Sequence, residues 1–216
     1  MITTADRLAL AQRTKGFMPE AEGLALFEFA RHARPTTWLE IGAWCGKSTV
    51  YLGAAAAVVG ATLFSLDHHH GSEEQQIGWP YFDETLLDPT DGRLNTLPSW
   101  QRTIARAELE STVIGLVGSS EVIAPHFRAP LDVLFLDGGH GESVAWRDYH
   151  DWTPKVALGG LLLMHDVFAN PADGGRPPYE IYCHALASGD FVTRGAVGSL
   201  HALERCRRTP MAGGER

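Results

Sequence analysis

Two apolar runs of the sequence end in side chains that could bind a metal ion. The run 131–137 closes with Asp137, and the run 159–166 closes with His165 and Asp166. If these runs are neighbouring parallel strands, their carboxyl ends meet at one edge of a sheet and the three side chains share a site. Carboxylate oxygens with one imidazole suit Mg²⁺, Mn²⁺ or Zn²⁺. The pattern predicts a metal site, although Asp137 could instead cap a helix and His165 could be a core histidine.

A second candidate site is the stretch EIGAWCGKS, residues 40–48, which follows another apolar run. Gly42 and Gly46 would let the backbone approach a ligand closely, and Glu40 could accept hydrogen bonds from it. The spacing matches neither the dinucleotide fingerprint nor the phosphate loop. Asp67, which ends the next apolar run, is placed to bind two ribose hydroxyls. These features predict a site for a nucleoside without a pyrophosphate, with a plain tight turn as the alternative.

Strand and helix patterns alternate along the chain and must position both sites. Apolar, β-rich runs separated by segments of helical spacing are typical of a parallel sheet covered by helices on both faces. The runs are residues 37–42, 61–67, 112–117, 131–137 and 159–166. A helix over 20–33 precedes them, and the turn at 195–198 leaves room only for a hairpin. The polar, aromatic insertion 68–100 is too long for an ordinary loop and predicts a lid.

Together the motifs resemble those of class I S-adenosylmethionine-dependent methyltransferases. The resemblance rests on E-x-G-x-x-x-G-x-S at 40–48, the acid that ends the second strand, VGSSE at 117–121 and LGG at 158–160, and it covers residues 36–206. It implies an α/β fold with a Rossmann-like, doubly wound, mostly parallel seven-stranded sheet, an antiparallel C-terminal strand, and a lid after the second strand.

The same resemblance implies S-adenosyl-L-methionine as the cofactor. The residues that would contact it are Glu40, Gly42, Ser48, Asp67, His68, Ser119, Ser120, Glu121 and Asp137. In this family Glu40 and Gly42 would meet the methionine part, Ser48 its carboxylate and Asp67 the ribose. The residues 119–121 would lie at the adenine, and capping of a helix is the alternative for the two serines.

Within that family, the predicted metal site is similar to that of the metal-dependent catechol-type and sugar O-methyltransferases. Their fourth strand ends in an aspartate and their fifth in two adjacent polar ligands, as at Asp137, His165 and Asp166. They place a lysine base three residues after the first ligand, where this chain has His140. The resemblance implies an O-methyltransferase in which a divalent metal, Mg²⁺ by analogy, lowers the pKa of an acceptor hydroxyl and His140 accepts its proton. His140 could instead pack against Trp146.

The lid carries aromatic, acidic and basic side chains, which suit a sugar ring better than a flat catechol. Its stretch 67–93 resembles a small group of actinobacterial methyltransferases. That resemblance implies the 1-hydroxyl of a 3-O-methylated mannoside as the acceptor, a role in polysaccharide biosynthesis, and a homodimer. Three consecutive histidines cannot all face one site. The predicted substrate residues are His69, His70, Glu73, Trp79, Tyr81, Arg93 and, after the fifth strand, Tyr179.

Composition narrows the remaining classes. A chain of 216 residues that is 44% hydrophobic can bury one core, so we expect one methyltransferase domain over 1–206 and a flexible tail over 207–216. A net charge of −8 without a basic stripe disfavours nucleic acid as a partner. Three widely spaced cysteines suit a reducing cytoplasm. The longest apolar run is too short for a membrane span, and the N-terminus lacks the pattern of a secretion signal.

The sequence leaves other kinds of function open. A nicotinamide-dependent oxidoreductase is disfavoured because the first turn lacks the pyrophosphate glycines. A nucleoside-binding protein without catalysis and an iron-dependent hydroxylase are two further alternatives. An O-methyltransferase of another small molecule, catechol-like or an antibiotic, is the alternative within the favoured class.

Overall fold

The computed structural model describes residues 2–139 and 141–207, and these residues form one sheet with helices on both faces. The strands are β1 Thr37–Ile41, β2 Thr62–Asp67, β3 Val113–Val117, β4 Leu131–Leu136, β5 Val156–Met164, β6 Phe191–Val197 and β7 Leu200–Arg205. The helices are α1 Thr4–Arg13, α2 Glu20–Ala30, α3 Lys47–Val59, α4 Leu97–Arg106, α5 Ser120–Ile123, α6 Glu142–Trp152 and α7 Pro177–Ala187.

Within the described residues, seven strands lie in the order β3-β2-β1-β4-β5-β7-β6. β1 to β5 pair in parallel, whereas β7 runs antiparallel to both of its neighbours. The strand order reverses between β1 and β4, which is where open α/β sheets bind ligands. The predicted fold class is therefore confirmed, including the antiparallel C-terminal strand and the terminal hairpin.

Alternation along the strands builds a core on each side of the sheet. Trp38 of β1 faces a cluster formed with α1 to α4, and the next residue, Leu39, faces a cluster formed with α6 and α7. Because side chains alternate between the two faces, a strand covered on both sides must be apolar nearly throughout. Glu40 is the exception to this rule in β1, because it carries a carboxyl group and is nevertheless 0% exposed.

Two helices were not predicted. The first, α1, has a capping box in which the Thr3 hydroxyl accepts a hydrogen bond from the Asp6 backbone N–H at 3.1 Å. The other, α7, begins at Pro177 and Pro178, which are tolerated in the first turn because their missing N–H groups need no partner there. Tyr179, which was predicted as a substrate residue after the fifth strand, lies in the first turn of α7.

The insertion after β2 packs against the β1–α3 loop. It contains two short 3₁₀ turns, Glu73–Gln75 and Glu84–Leu86, and α4 begins at its end. Leu86 and Leu94 are buried in a small cluster with Cys45 of the β1–α3 loop. Loop residues that pack on the ligand-binding edge are placed to cover it, as expected of a lid.

No helix in the described part of the chain is long and apolar enough to cross a bilayer. Apart from Arg207, the predicted tail 207–216 lies outside the described residues.

Candidate active site

The three predicted metal ligands lie together at the ends of β4 and β5. The strands are paired up to Leu136 and Met164, so the residues that follow them face each other. His165 Nδ1 is 3.0 Å from Asp137 Oδ1 and 3.3 Å from Asp166 Oδ2. One ligand atom of each residue lies within 4.8 Å of the others. The cluster is therefore compact enough for one cation to contact all three side chains.

The other nitrogen of His165 contacts a residue that was not predicted. His165 Nε2 is 2.6 Å from Oε2 of Glu22, a buried residue of α2. Burial lowers the pKa of His165, but the carboxylates of Asp137, Asp166 and Glu22 outweigh it and raise the pKa to about 12. Three acids around one imidazole require positive charge, which a proton on the ring or a cation can supply.

A small cavity adjoins the cluster and is bordered by a second residue that was not predicted, Asp148 of α6. The cavity has a volume of about 30 Å³ and is lined by Asp137, His165 and Asp148 among others, which is enough space for a water molecule. Burial raises the pKa of Asp148 to about 6. Asp148 accepts a hydrogen bond from the Ser120 hydroxyl, so α6 is tied to α5 beside the cluster. The predicted base, His140, lies outside the described residues.

The β1–α3 loop contacts the cluster of Asp137, His165 and Asp166 through the backbone of Asp137. Gly42 has φ +88°, and a Cβ added there would lie 2.1 Å from the backbone oxygen of Asp137. Gly46 has φ +92° and precedes the first turn of α3. Only glycine meets both requirements at Gly42, a left-handed backbone and no room for a side chain. The two predicted sites are therefore one continuous surface.

Asp67 holds this loop in place. Its Oδ2 accepts hydrogen bonds from the N–H groups of Ala43 and Trp44 at 2.9 and 2.8 Å, and its Oδ1 accepts one from the N–H of His69 at 2.7 Å. Trp44 has φ +48°, a strained conformation for a bulky residue. A carboxylate oxygen offers about two lone pairs, so Oδ1 keeps one that these contacts do not use. The predicted contact between Asp67 and ribose thus remains compatible with its structural role and stays a prediction.

Glu40 is a buried acid at the base of the same loop. Its Oε2 accepts hydrogen bonds from Thr49 Oγ1 at 2.6 Å and from Ser65 Oγ at 2.7 Å. Its buried Oε1 makes no hydrogen bond of ordinary geometry within the described residues, although the Ser48 side chain contributes to lowering the Glu40 pKa. Burial raises the pKa of Glu40 to about 7, because hydrogen bonds from nearby hydroxyls offset only part of the desolvation. An unpartnered buried oxygen beside a glycine turn indicates a polar or cationic ligand group.

Glu40→Gln should raise the stability of the protein near pH 8 and change little near pH 4. The folded protein holds the Glu40 proton more tightly than the unfolded chain, so the free energy of unfolding falls as the pH rises from 4.5 to about 7. Glutamine removes that loss, which is on the order of 2–3 kcal/mol. Urea denaturation across this pH range measures the difference, with the exposed Glu110→Gln as the control. A difference that does not vary with pH would contradict the assignment.

The residues predicted at the adenine have other partners. The Ser120 hydroxyl, besides its bond to Asp148, accepts a hydrogen bond from the indole N–H of Trp152 at 2.8 Å. Glu121 forms an ion pair with Arg147 of α6. Ser119 precedes α5 without capping it through its side chain. These contacts favour a structural role for Ser120, and the cofactor contacts of all three residues stay predictions. Ser48 is buried in the first turn of α3.

The three consecutive histidines separate into two environments. His69 is 2% exposed, and its Nδ1 lies 2.8 Å from the hydroxyl of Thr96. Burial lowers the pKa of His69. His68 and His70 are exposed, with their rings stacked at a centroid distance of 6.1 Å. The burial of His69 favours a structural role, whereas the other two remain accessible to ligands.

The remaining predicted substrate residues lie mainly on the lid surface. His70 and Arg93 line the same cleft, which has a volume of about 380 Å³. Trp79 and Tyr81 are about half exposed, and Tyr81 packs edge-on against Phe17 of the α1–α2 segment at 5.1 Å. Two further candidates lie elsewhere: Glu73 is exposed in the first 3₁₀ turn, and Tyr179 of α7 lies beneath the Arg176 guanidinium.

This strand order is that of the class I S-adenosylmethionine-dependent methyltransferases. In that fold, a glycine turn follows the first strand and an acidic residue ends the second strand, as Gly42 and Asp67 do here. The profile of a family described as a methyltransferase domain matches residues 39–167, which is more than half of the chain. The chain belongs to this methyltransferase family.

Solved structures with the same fold include three methyltransferases. The methyltransferase PaMTH1 of Podospora anserina, bound to SAH, is 12% identical, with a TM-score of 0.64 over 94% of this chain and 87% of that chain. The O-methyltransferase TomG of Streptomyces achromogenes, in complex with SAM, is 16% identical, with a TM-score of 0.63 over 96% and 91%. An O-methyltransferase of Bacillus cereus with SAH is 17% identical, with a TM-score of 0.60 over 94% and 89%.

The family match confirms the predicted enzyme class at the level of a methyltransferase. The fold is shared with solved methyltransferases that hold SAM or SAH. Transfer to an oxygen acceptor stays a prediction. The oxidoreductase alternative loses its support because the matched family is one of methyltransferases.

Proposed function

We propose that this protein is a metal-assisted O-methyltransferase that transfers the methyl group of S-adenosylmethionine to a hydroxyl of a sugar. One observation carries the proposal: the cluster of Asp137, His165 and Asp166 lies in backbone contact with the glycine turn at Gly42. Methyl transfer to an alcohol requires a donor and an acceptor held in line, with a means of removing the acceptor proton. A cation site beside a nucleoside site meets both requirements.

The residues of the β1–α3 loop fit the cofactor. S-adenosylmethionine, when bound, supplies a methyl group activated by a sulfonium. Gly42 leaves the backbone open to close approach, and the unpartnered Oε1 of Glu40 can accept a hydrogen bond from an ammonium group. A nearby positive charge would favour the ionised form of Glu40. Asp67 would bind the ribose through Oδ1, which keeps a lone pair that the loop does not use.

The residues at the strand ends fit a divalent cation. Asp137, His165 and Asp166 together offer two carboxylates and an imidazole, a donor set found for divalent metals in proteins. The cation supplies positive charge that lowers the pKa of an acceptor hydroxyl by several units. His140 would accept the proton, because an imidazole with an ordinary pKa near 6.5 is a competent base at neutral pH. Proton transfer of this kind contributes about 10²–10⁴ in rate.

The lid supports a sugar as the acceptor. Trp79 and Tyr81 are about half exposed, and a cleft in the same lid is bordered by Arg93 and His70. Aromatic faces stack on sugar rings, while cationic and imidazole groups hydrogen-bond hydroxyls. Within this class we propose a methylated mannoside acting through its 1-hydroxyl, on the resemblance of the lid sequence.

A panel of acceptors incubated with methyl-labelled S-adenosylmethionine tests the proposal. The panel contains methylated and unmethylated mannosides, a catechol and a phenolic antibiotic precursor, each with Mg²⁺ and with excess chelator. We expect label on the mannosides, and we expect chelation to abolish turnover while leaving the affinity for S-adenosylhomocysteine unchanged. Full turnover in excess chelator would remove the metal from the account, and label on the catechol alone would overturn the sugar assignment.

A further inference from the structure

We infer that Glu22 is a positioning residue for the metal site. It holds the His165 ring with Nδ1 directed at the cation, and this orientation makes the site prefer Mn²⁺ or Co²⁺ to Mg²⁺. The inference rests on the metal site of the proposed function and adds a residue outside the cluster itself. Glu22 lies on α2, on the core side of His165.

The contact between Glu22 and His165 is short and closed to solvent. Glu22 Oε2 lies 2.6 Å from His165 Nε2, and the two residues are 7% and 5% exposed. A buried carboxylate is costly unless it is hydrogen-bonded, so the buried Glu22 needs polar partners. Among the described residues, His165 is the ionisable group in direct contact with Glu22.

The turn between β6 and β7 holds the carboxylate of Glu22 in place. Glu22 Oε1 accepts a hydrogen bond from the Ser199 N–H at 2.9 Å, and Oε2 accepts one from the Ser199 hydroxyl at 3.0 Å. A Cβ at Gly198, which has φ +57°, would lie 2.1 Å from Oε1. The turn therefore closes directly over the carboxylate and leaves it little freedom to rotate.

This arrangement determines which ring nitrogen can act as a ligand. The two nitrogens lie on different edges of the imidazole ring, and in the neutral ring one carries the proton while the other carries a lone pair. If Nε2 donates to Glu22, the lone pair is on Nδ1, which faces Asp137 and Asp166 at 3.0 and 3.3 Å. A carboxylate on the far nitrogen also makes the imidazole a better ligand.

A fixed imidazole ligand bears on the choice of metal. Mg²⁺ prefers oxygen donors in a nearly ideal octahedron, whereas Mn²⁺ and Co²⁺ accept an imidazole nitrogen together with carboxylates. The residue types alone suited Mg²⁺, Mn²⁺ or Zn²⁺. A fixed nitrogen ligand favours the ions that bind nitrogen well. We expect Mn²⁺ and Co²⁺ to bind the wild-type protein at least about tenfold more tightly than Mg²⁺.

Metal titrations of the purified protein test the inference without an acceptor. Mn²⁺ affinity is measured by electron paramagnetic resonance of the free ion, and Co²⁺ binding by its visible absorption. We expect Glu22→Gln to weaken both affinities by about 10–100-fold and to change the Co²⁺ spectrum. Ser199→Ala, which removes one of the donors to Glu22, should produce a smaller change in the same direction. Glu20→Gln on the exposed surface of α2 is the matched control.

A measurement on the wild-type protein covers the case in which Glu22→Gln does not fold. In the protein loaded with diamagnetic Zn²⁺, two-bond nitrogen–proton NMR correlations show which nitrogen of His165 carries hydrogen. A proton on Nε2 supports the inference, and a proton on Nδ1 overturns it. If the Glu22→Gln variant binds metal as tightly as the wild-type protein, the role of Glu22 is overturned but the proposed function is not. Absence of Mn²⁺, Co²⁺ and Mg²⁺ binding by the wild-type protein overturns both.

Discussion

Asp166→Asn should lower the rate of methyl transfer by about 10²–10⁴ and leave the affinity for S-adenosylhomocysteine within about threefold of wild type. Asp166 contributes a carboxylate to the cluster, and its loss removes the negative charge that a divalent cation needs. The substitution is also conservative for the backbone. Asp166 has φ +55°, a left-handed conformation that asparagine tolerates as well as aspartate.

Single-turnover rates and calorimetric titrations with S-adenosylhomocysteine provide the two readouts. Asp151→Asn on α6 is the control, because it removes an acid outside the cluster. Adding excess Mn²⁺ should restore part of the Asp166→Asn rate if weakened metal binding is the cause. A variant with the wild-type rate at low metal concentration would show that Asp166 takes no part in the reaction.

Gly42→Ala should destabilise the protein by about 3–5 kcal/mol and abolish cofactor binding. A methyl group there would lie 2.1 Å from the backbone oxygen of Asp137, in a left-handed conformation at φ +88°. The three nearest atoms all belong to the backbone of Asp137 and Gly138, which cannot rotate away as a side chain can. β1 and β4 must therefore separate where both sites begin. The loss of binding therefore follows from the same displacement as the loss of stability.

Gly60→Ala separates the steric clash from the backbone strain. Gly60 also has a left-handed backbone, at φ +80°, but a Cβ there would meet no atom within 4 Å. It should cost only about 1–2 kcal/mol and leave cofactor binding unchanged. Urea denaturation and S-adenosylhomocysteine titration of both variants make the comparison. Equal losses of stability would contradict the close packing of Gly42 on β4.

The cluster of Asp137, His165 and Asp166 could be predicted from sequence because strand topology alone brings the three residues together. Asp137, His165 and Asp166 each follow an apolar run directly, and parallel neighbouring strands bring such residues together whatever the surrounding loops do. The position of Gly42 followed for the same reason. Residues at strand ends are the part of a site that local pattern determines most strongly.

Glu22 and Asp148 could not be predicted because their partners depend on packing. Glu22 meets His165 across 143 positions of sequence, and in the sequence it resembles any acid in the first turn of a helix. Nothing in the stretch EAEGLALFEFA separates Glu22 from Glu20 and Glu28, which are exposed. Asp148 lies on an amphipathic helix whose acids would ordinarily face solvent. The orientation of α2 and α6 on the sheet determines both contacts.

The lid was predicted from its length and composition, but not how it packs. Leu86 and Leu94 bury themselves against Cys45, whereas the sequence offered mainly polar and turn-forming residues. The burial of His69 depends on Thr96 at the far end of the lid, a contact that only the folded loop creates. Long loops place residues by tertiary contacts, and periodicity gives no guide to them.

Anomalous diffraction from a crystal grown with Mn²⁺ and S-adenosylhomocysteine tests the central claim most directly. The account predicts one strong manganese peak between Asp137, His165 Nδ1 and Asp166, with S-adenosylhomocysteine beside Gly42. It is contradicted by a crystal in which S-adenosylhomocysteine is bound beside Gly42 but the three side chains hold no manganese.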